Sequence, residues 1–209
     1  MRCLMCGREL GECSIRDILF GDDPLCLTCR KQWKYYPQSF FVDGIQADSD
    51  YLYREGFSAN LIQYKECGDE ALKDAFLHPM IRKLRRRYRG MTLCMMPSAE
   101  EKKKERGFSH LMEMYASLGL PMMEPFIKND STIQKKLTYA GRQKIADQIS
   151  LQKNIALPEK IVLCDDVITT GATLKGALHC LDRTKHHILI YAAAADNEGK
   201  KWKKKEEWE

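Results

Sequence analysis

The chain has 209 residues, 44% of them hydrophobic, and 34 Lys and Arg against 29 Asp and Glu for a net charge of +5. That is enough apolar content for one packed domain and a small extra module, which excludes a largely disordered chain. The basic excess is too slight to diagnose a nucleic-acid binder, so the placement of charge carries more information than its sum.

The first residues, MRCLMCGREL, hold no apolar run of signal-peptide length, and no later stretch reaches the roughly 20 apolar residues of a membrane helix. The expectation is a cytoplasmic protein with no membrane insertion. In that compartment the nine cysteines point to metal ligation before disulfides. Cys3-Leu-Met-Cys6 is followed, after nineteen intervening residues, by Cys26-Leu-Thr-Cys29. Two such pairs, each on a tight turn, close four thiolates tetrahedrally on Zn²⁺ and leave no open position, so the metal is read as structural. About 40 residues bury too little apolar surface to fold unaided, and zinc supplies what is missing. Cys13, between the pairs, is either a spectator or a substitute ligand.

From about residue 40 the pattern changes. FFVDGIQ (40–46) and YLYRE (51–55) read as short strands, and SANLIQYKE (58–66) and EALKDAFLHPMIRKLRRRYR (70–89) as helices. In the second helix Ala71, Leu72, Ala75, Phe76, Met80, Ile81 and Leu84 recur at helical spacing, with Pro79 as a site of bending. MTLCMM (91–96) reads as a strand, GFSHLMEMYASLG (107–119) as a helix and PMMEPFI (121–127) as a further strand. After a polar stretch from 128 to about 158 come a strand in KIVLCDD (160–166), a helix in TLKGALHCLDRT (173–184) and a last strand in HHILIYAAAA (186–195). Apolar runs joined by helices predict an α/β fold with a parallel sheet under helical cover.

In such sheets ligands sit beyond the carboxyl ends of strands, and CDDVITTGAT (164–173) lies at one. Asp165 and Asp166 leave the strand together, and Thr169, Thr170, Gly171, Ala172 and Thr173 turn the chain into a helix whose free N–H groups suit a phosphate monoester. Carboxylates repel phosphate, so the acid pair suits hydroxyls a few ångströms away, as on a phosphorylated sugar.

VLCDDVITTGAT resembles the signature of type I phosphoribosyltransferases, which bind 5-phosphoribosyl 1-diphosphate (PRPP) with Mg²⁺ and displace pyrophosphate with a nucleophile. The resemblance implies that Asp165 and Asp166 hold the ribose hydroxyls and act as the catalytic pair, stabilising cationic character on the sugar, while residues 169–173 cradle the 5′-phosphate. Over nearly the whole chain the sequence is similar to the competence F family. The cysteine pairs, Lys65 with Gly68-Asp69, Pro97 with Arg106-Gly107-Phe108, and Gln134, Leu137 and Arg142 carry that likeness. It implies a zinc ribbon (1–40), a phosphoribosyltransferase-like domain (41–197) and a charged tail (198–209), with Pro97, Ser98, Lys65, Arg106 and Arg142 among the PRPP-binding residues. It also implies a role in DNA uptake during natural transformation beside a helicase-like partner. The chain departs from the family pattern at Met95, Ser109-His110, Ser131 and Ile145. Met95 and Pro97 to Ala99 stand where the pyrophosphate loop is expected, which leaves three readings: a phosphoribosyltransferase with an unknown acceptor, a catalytically silent adaptor between the helicase-like partner and single-stranded DNA, or a sensor in which the sugar diphosphate changes affinity for the partner.

Basic residues are read by position. Lys102, Lys103 and Lys104, and Lys135, Lys136 and Lys144, belong either to a solvated face or to a diphosphate site. The cluster Arg82, Lys83, Arg85, Arg86, Arg87 and Arg89 serves solubility and the helix dipole, or contacts single-stranded DNA. KKWKKKEEWE (200–209) is a solvated end or a docking peptide. His110, His179, His186 and His187 show no triad or metal spacing and are assigned no role.

Overall fold

The computed structural model describes residues 1–10, 23–128 and 149–196. Strands β1 (Tyr35–Val42) and β2 (Ile45–Leu52) form an antiparallel hairpin. Its two-residue turn is Asp43-Gly44, both with positive φ (51° and 80°), the combination that matches the twist of paired strands. FFVDGIQ is therefore a strand, a turn and a second strand.

Ahead of the hairpin lies the short helix α1 (Leu27–Arg30). Helix α2 (Glu55–Glu66) follows the hairpin. The helix expected over 70–89 is broken into 3₁₀ turns at Glu70–Ala75 and His78–Met80 and a seven-residue helix α3 (Ile81–Arg87). Pro79 lies in the second turn; it has no N–H to give, and its ring disfavours a helical residue before it. Then come β3 (Thr92–Met95), α4 (Glu100–Arg106), α5 (His110–Ala116), β4 (Met122–Met123), β5 (Phe126–Lys128), β6 (Ile149–Leu151), β7 (Lys160–Ile168), α6 (Ala172–His179) and β8 (His187–Ala195). The segment 121–127 is thus divided between two strands in different sheets.

The main sheet has the order β1-β2-β8-β7-β3-β4. Its pairings are parallel from β2 to β4, with β1 as the antiparallel edge. β5 and β6 pair separately. Residues 161–164 and 192–195 are all buried, as expected for central strands covered on both sides. The crossovers β2 to β3 and β3 to β4 advance one way through this order, whereas β4 to β7 and β7 to β8 return the other way. Right-handed connections therefore put α2, α3 and α5 on one face, and α6 with β5 and β6 on the other. Connections leaving β3 and β7 diverge in this way although the two strands are neighbours, so a crevice opens at their carboxyl ends.

The N-terminal segment shares the core. Trp33, 2% exposed, stacks on Phe76 with ring centroids 5.2 Å apart and meets Tyr51 and Phe57 edge-on. Its indole N–H donates to Asn60 Oδ1 at 3.0 Å. Arg30 binds Asp23 through two nitrogens, donates to the Ala75 carbonyl at 2.8 Å and lies 4.8 Å over the Trp33 ring. Among the described residues no helix is long and apolar enough to cross a membrane.

Candidate functional site

Asp165 and Asp166 lie near the carboxyl end of β7, and their side chains alternate across the sheet. Asp166 is 6% exposed and turns to the face that carries α2 and α5. Its Oδ2 lies 2.5 Å from Lys65 Nζ on α2 and 2.9 Å from His110 Nε2 at the start of α5. Burial opposes its charge, but Lys65 and then His110 outweigh that and hold the carboxyl well below the usual carboxylate range. Asp165 accepts the Asp166 backbone N–H at 2.9 Å. Burial first, then the charge of Asp166, push it up to about 8, with Lys65 and Lys128 opposing. Two adjacent acids thus have opposite titration behaviour, the usual consequence of like charges sharing a partly dry site.

The loops beside this pair complete the crevice. Past β3, Met96 N–H bonds to the Cys164 carbonyl at 2.9 Å, extending the ladder, and the chain then departs at Pro97. Ser98 Oγ approaches His110 Nδ1 at 3.4 Å. Helix α4 carries Glu100 and Glu101 in its first turn and Lys103, Lys104 and Arg106 in its last, a charge order that complements its dipole, and ends on Gly107 at φ 80°. That end delivers Arg106, whose Nε donates to the Lys65 carbonyl at 2.6 Å and whose Nη1 lies 2.9 Å from His110 Nδ1.

After β7, Thr169 and Thr170 are exposed and Gly171 is buried at φ 67°. Thr170 Oγ1 accepts the N–H of Ala172, the first residue of α6, at 3.2 Å, and the N-cap residue Gly171 has no side chain to bond the N–H groups that follow. The turn therefore offers hydroxyls and helix N–H groups on the crevice side of the sheet, as an anion requires.

The structure thus brings together Asp166, Lys65, Arg106 and Ser98, with Pro97 beside Ser98 and Asp165 and the 169–173 turn adjoining along the chain. Arg142, Gln134, Leu137, Lys135, Lys136 and Lys144, Cys13, and the 200–209 segment lie outside the described residues. The residue that sequence reasoning missed is His110. Its partner Asp166 is 56 positions away, so no local spacing announces it. Lys102 and Lys103 pair with Glu66 and Glu124 at 3.1 and 2.6 Å.

In the basic cluster Lys83 Nζ binds the buried Asp50 at 2.6 Å, Arg87 pairs with Asp48, and Arg85 donates to the Leu118 and Ser117 carbonyls at 2.8 and 2.6 Å. Much of that charge anchors α3 to the sheet and to the end of α5. Arg86 and Arg89 are exposed.

The second centre is thiol-rich. The sulfurs of Cys3, Cys6, Cys26 and Cys29 all lie within 4.8 Å of one another, with 3.8 Å between those of Cys6 and Cys26. Tetrahedral thiolates about 2.3 Å from zinc stand about 3.8 Å apart, so the cluster fits that ion. Burial works against a Cys3 thiolate, yet N–H groups from Cys26, Cys6 and Met5 bring its pKa down to about 6. Burial pushes Cys29 up, and a bound cation would offset that.

No family model matches the chain. It is 26% identical to competence protein ComFC of Bacillus subtilis (strain 168), over 86% of this chain and 88% of that protein. It is 21% identical to competence protein ComFC of Streptococcus pneumoniae (strain ATCC BAA-255 / R6), over 83% of this chain and 90% of that one. Among solved structures, a hypoxanthine phosphoribosyltransferase from Staphylococcus aureus aligns with TM-score 0.39 and 13% identity over 59% of this chain and 62% of that chain. An adenine phosphoribosyltransferase from Leishmania donovani aligns with TM-score 0.33 and 14% identity over 83% and 81%.

Proposed function

On the premise that the chain is a ComFC-like protein, we propose that it binds PRPP with Mg²⁺ and acts in DNA uptake during natural transformation. The observation that carries this reading is the acid pair of β7, set beside the Gly171-capped N-terminal turn of α6 where the connections of β3 and β7 diverge. In it, the N–H groups and hydroxyls of Thr169 to Thr173 take the 5′-phosphate. Asp165, and the oxygen of Asp166 not held by Lys65 and His110, take the ribose hydroxyls. The loop at Pro97 and Ser98 faces the diphosphate, with Lys65 and Arg106 behind it and Arg142 assigned to the same ligand. Mg²⁺ neutralises the leaving pyrophosphate when bound. The reaction is transfer of the phosphoribosyl group to an acceptor whose class no residue of the site specifies. Zinc at the four cysteines is structural, the compartment is the cytoplasm, and a helicase-like competence protein is the partner.

Calorimetric titration of the zinc-loaded protein with PRPP, with and without Mg²⁺, tests the reading. Binding is expected to require Mg²⁺ and to be lost in the Asp165→Ala/Asp166→Ala variant. Folded, zinc-loaded protein that takes up no PRPP sinks it.

A further inference from the structure

His110 is 4% exposed and is held from every side. Arg106 Nη1, 2.9 Å from Nδ1, is a group that only donates, so Nδ1 must be the bare, accepting nitrogen. The ring proton then sits on Nε2, which donates to Asp166 Oδ2 at 2.9 Å. Ser98 Oγ, 3.4 Å from Nδ1, gives the β3 loop a second approach to the same nitrogen. Tyr64 of α2 donates its hydroxyl to the His110 carbonyl at 2.7 Å and fixes the backbone beneath the ring.

We propose that His110 is a positioning residue: fixed by Arg106 as the neutral Nε2–H imidazole, it pins Asp166, links the β3 and β7 ends of the crevice, and makes the arrangement sensitive to acid. The groups facing it define the sign. Lys65 from α2 and Arg106 from α4 are cations; Asp166 from β7 and Glu124, after β4, are anions; Ser98 and Tyr64 are neutral. Burial, seconded by the two cations, holds the imidazole below its ordinary pKa against the pull of Asp166. Protonating Nδ1 removes the acceptor for Arg106 and sets a third cation beside Lys65 and Arg106. The Arg106 contact and the Ser98 approach are then lost together.

The inference deepens the PRPP reading, because a loosened Asp166 and β3 loop weaken that ligand, but its first readout needs none. Long-range proton–nitrogen NMR of the full-length protein, with the His110 ring assigned by His110→Gln, reports the tautomer directly. The expected result is a bare Nδ1, a protonated Nε2, and a ring that stays neutral at pH values where a free imidazole is a cation. An Nδ1–H tautomer, or a cationic ring at neutral pH, overturns the inference.

Carboxyl carbon titrations of Asp165 and Asp166 form the second arm. Asp166 should titrate at higher pH in His110→Ala, and less so in His110→Gln, whose amide retains a donor for Asp166. An Asp166 titration unchanged in both variants also overturns it. With Mg²⁺ and PRPP as the probe, wild-type affinity should fall at least tenfold more than that of His110→Gln on acidification below the ordinary histidine range. If the wild type binds no PRPP at any pH, the proposed function fails, while the ring spectrum and carboxyl titrations still decide the role of His110.

Discussion

Lys65 Nζ and Asp166 Oδ2 stand 2.5 Å apart although 101 positions separate them in sequence. Asp166 is buried while Lys65 is a quarter exposed, so removing the cation leaves a carboxylate that water cannot fully reach. Lys65→Met should cost about 3 kcal/mol, toward the low end for a broken buried pair because His110 remains. Urea unfolding measures this. Adding Asp166→Asn to Lys65→Met should recover part of the loss, a coupling read from the double-mutant cycle.

Asp165 sets a pH dependence of its own. Its folded pKa, about 8, lies above that of an unfolded Asp, so the folded state binds the extra proton, and the stability this provides, full below the ordinary Asp range, is lost progressively as pH rises from that range to about 8. Asp166 has the opposite sign: its depressed pKa contributes stability above the ordinary Asp range that is lost as pH falls through its folded value. Asp165→Asn should therefore flatten the loss of stability between about pH 4 and about pH 8 and leave the limb below about pH 4, set by Asp166, intact. Thermal melts across and below that range check both limbs. If the Mg²⁺–PRPP complex requires Asp165 ionised, binding at pH 7 also releases a proton, which appears as a binding heat that varies with the ionisation enthalpy of the buffer.

Metal loss should be felt beyond the cysteines. Trp33 and Arg30 tie α1 and the residues after it to Phe76, Asn60 and the Ala75 carbonyl. Chelation, or Cys26→Ser, should lower the melting temperature of the whole chain. In a Trp202→Phe/Trp208→Phe background it should also shift Trp33 emission to the red. Trp33→Ala should cost about 3–5 kcal/mol by chemical denaturation.

Gly56 marks the tightest approach between these parts. A Cβ there would stand 2.6 Å from the Gln32 carbonyl oxygen, a backbone atom that cannot swing away. Gly56→Ala should destabilise by about 1–3 kcal/mol despite the better helix propensity of Ala. A rise in the urea midpoint would contradict this close fit.

How much of this was legible in the sequence depends on how locally each feature is encoded. The cysteine pairs announce themselves because each is a short turn. The long apolar runs of β7 and β8 read correctly because central parallel strands are buried on both faces. Helix α4 was missed because its seven residues include no buried side chain and so show no apolar period, although acids first, bases last and a closing glycine were all present. The Asp43-Gly44 turn was visible and went unread inside an apolar run. The 121–127 run looked like one strand because nothing in its composition reveals that two sheets divide it. At the site, the acids and the Thr-Gly turn are contiguous and so could be found, whereas His110 acquires its role only from Arg106 and Asp166 meeting on its two nitrogens.

The wide spacing of the site's charges also orders events during synthesis. Lys65, Arg106 and His110 leave the ribosome well before β7, and until that strand is added the three basic side chains have no carboxylate from Asp166 to gather around. A nascent chain that has completed α5 holds α2, α4 and α5 without the acid pair or α6. Docking of β7 on β3, followed by entry of β8 between β2 and β7, therefore completes the sheet and gathers the proposed binding residues in late, non-local steps, so a chain terminated before β7 lacks the anionic half of the proposed site.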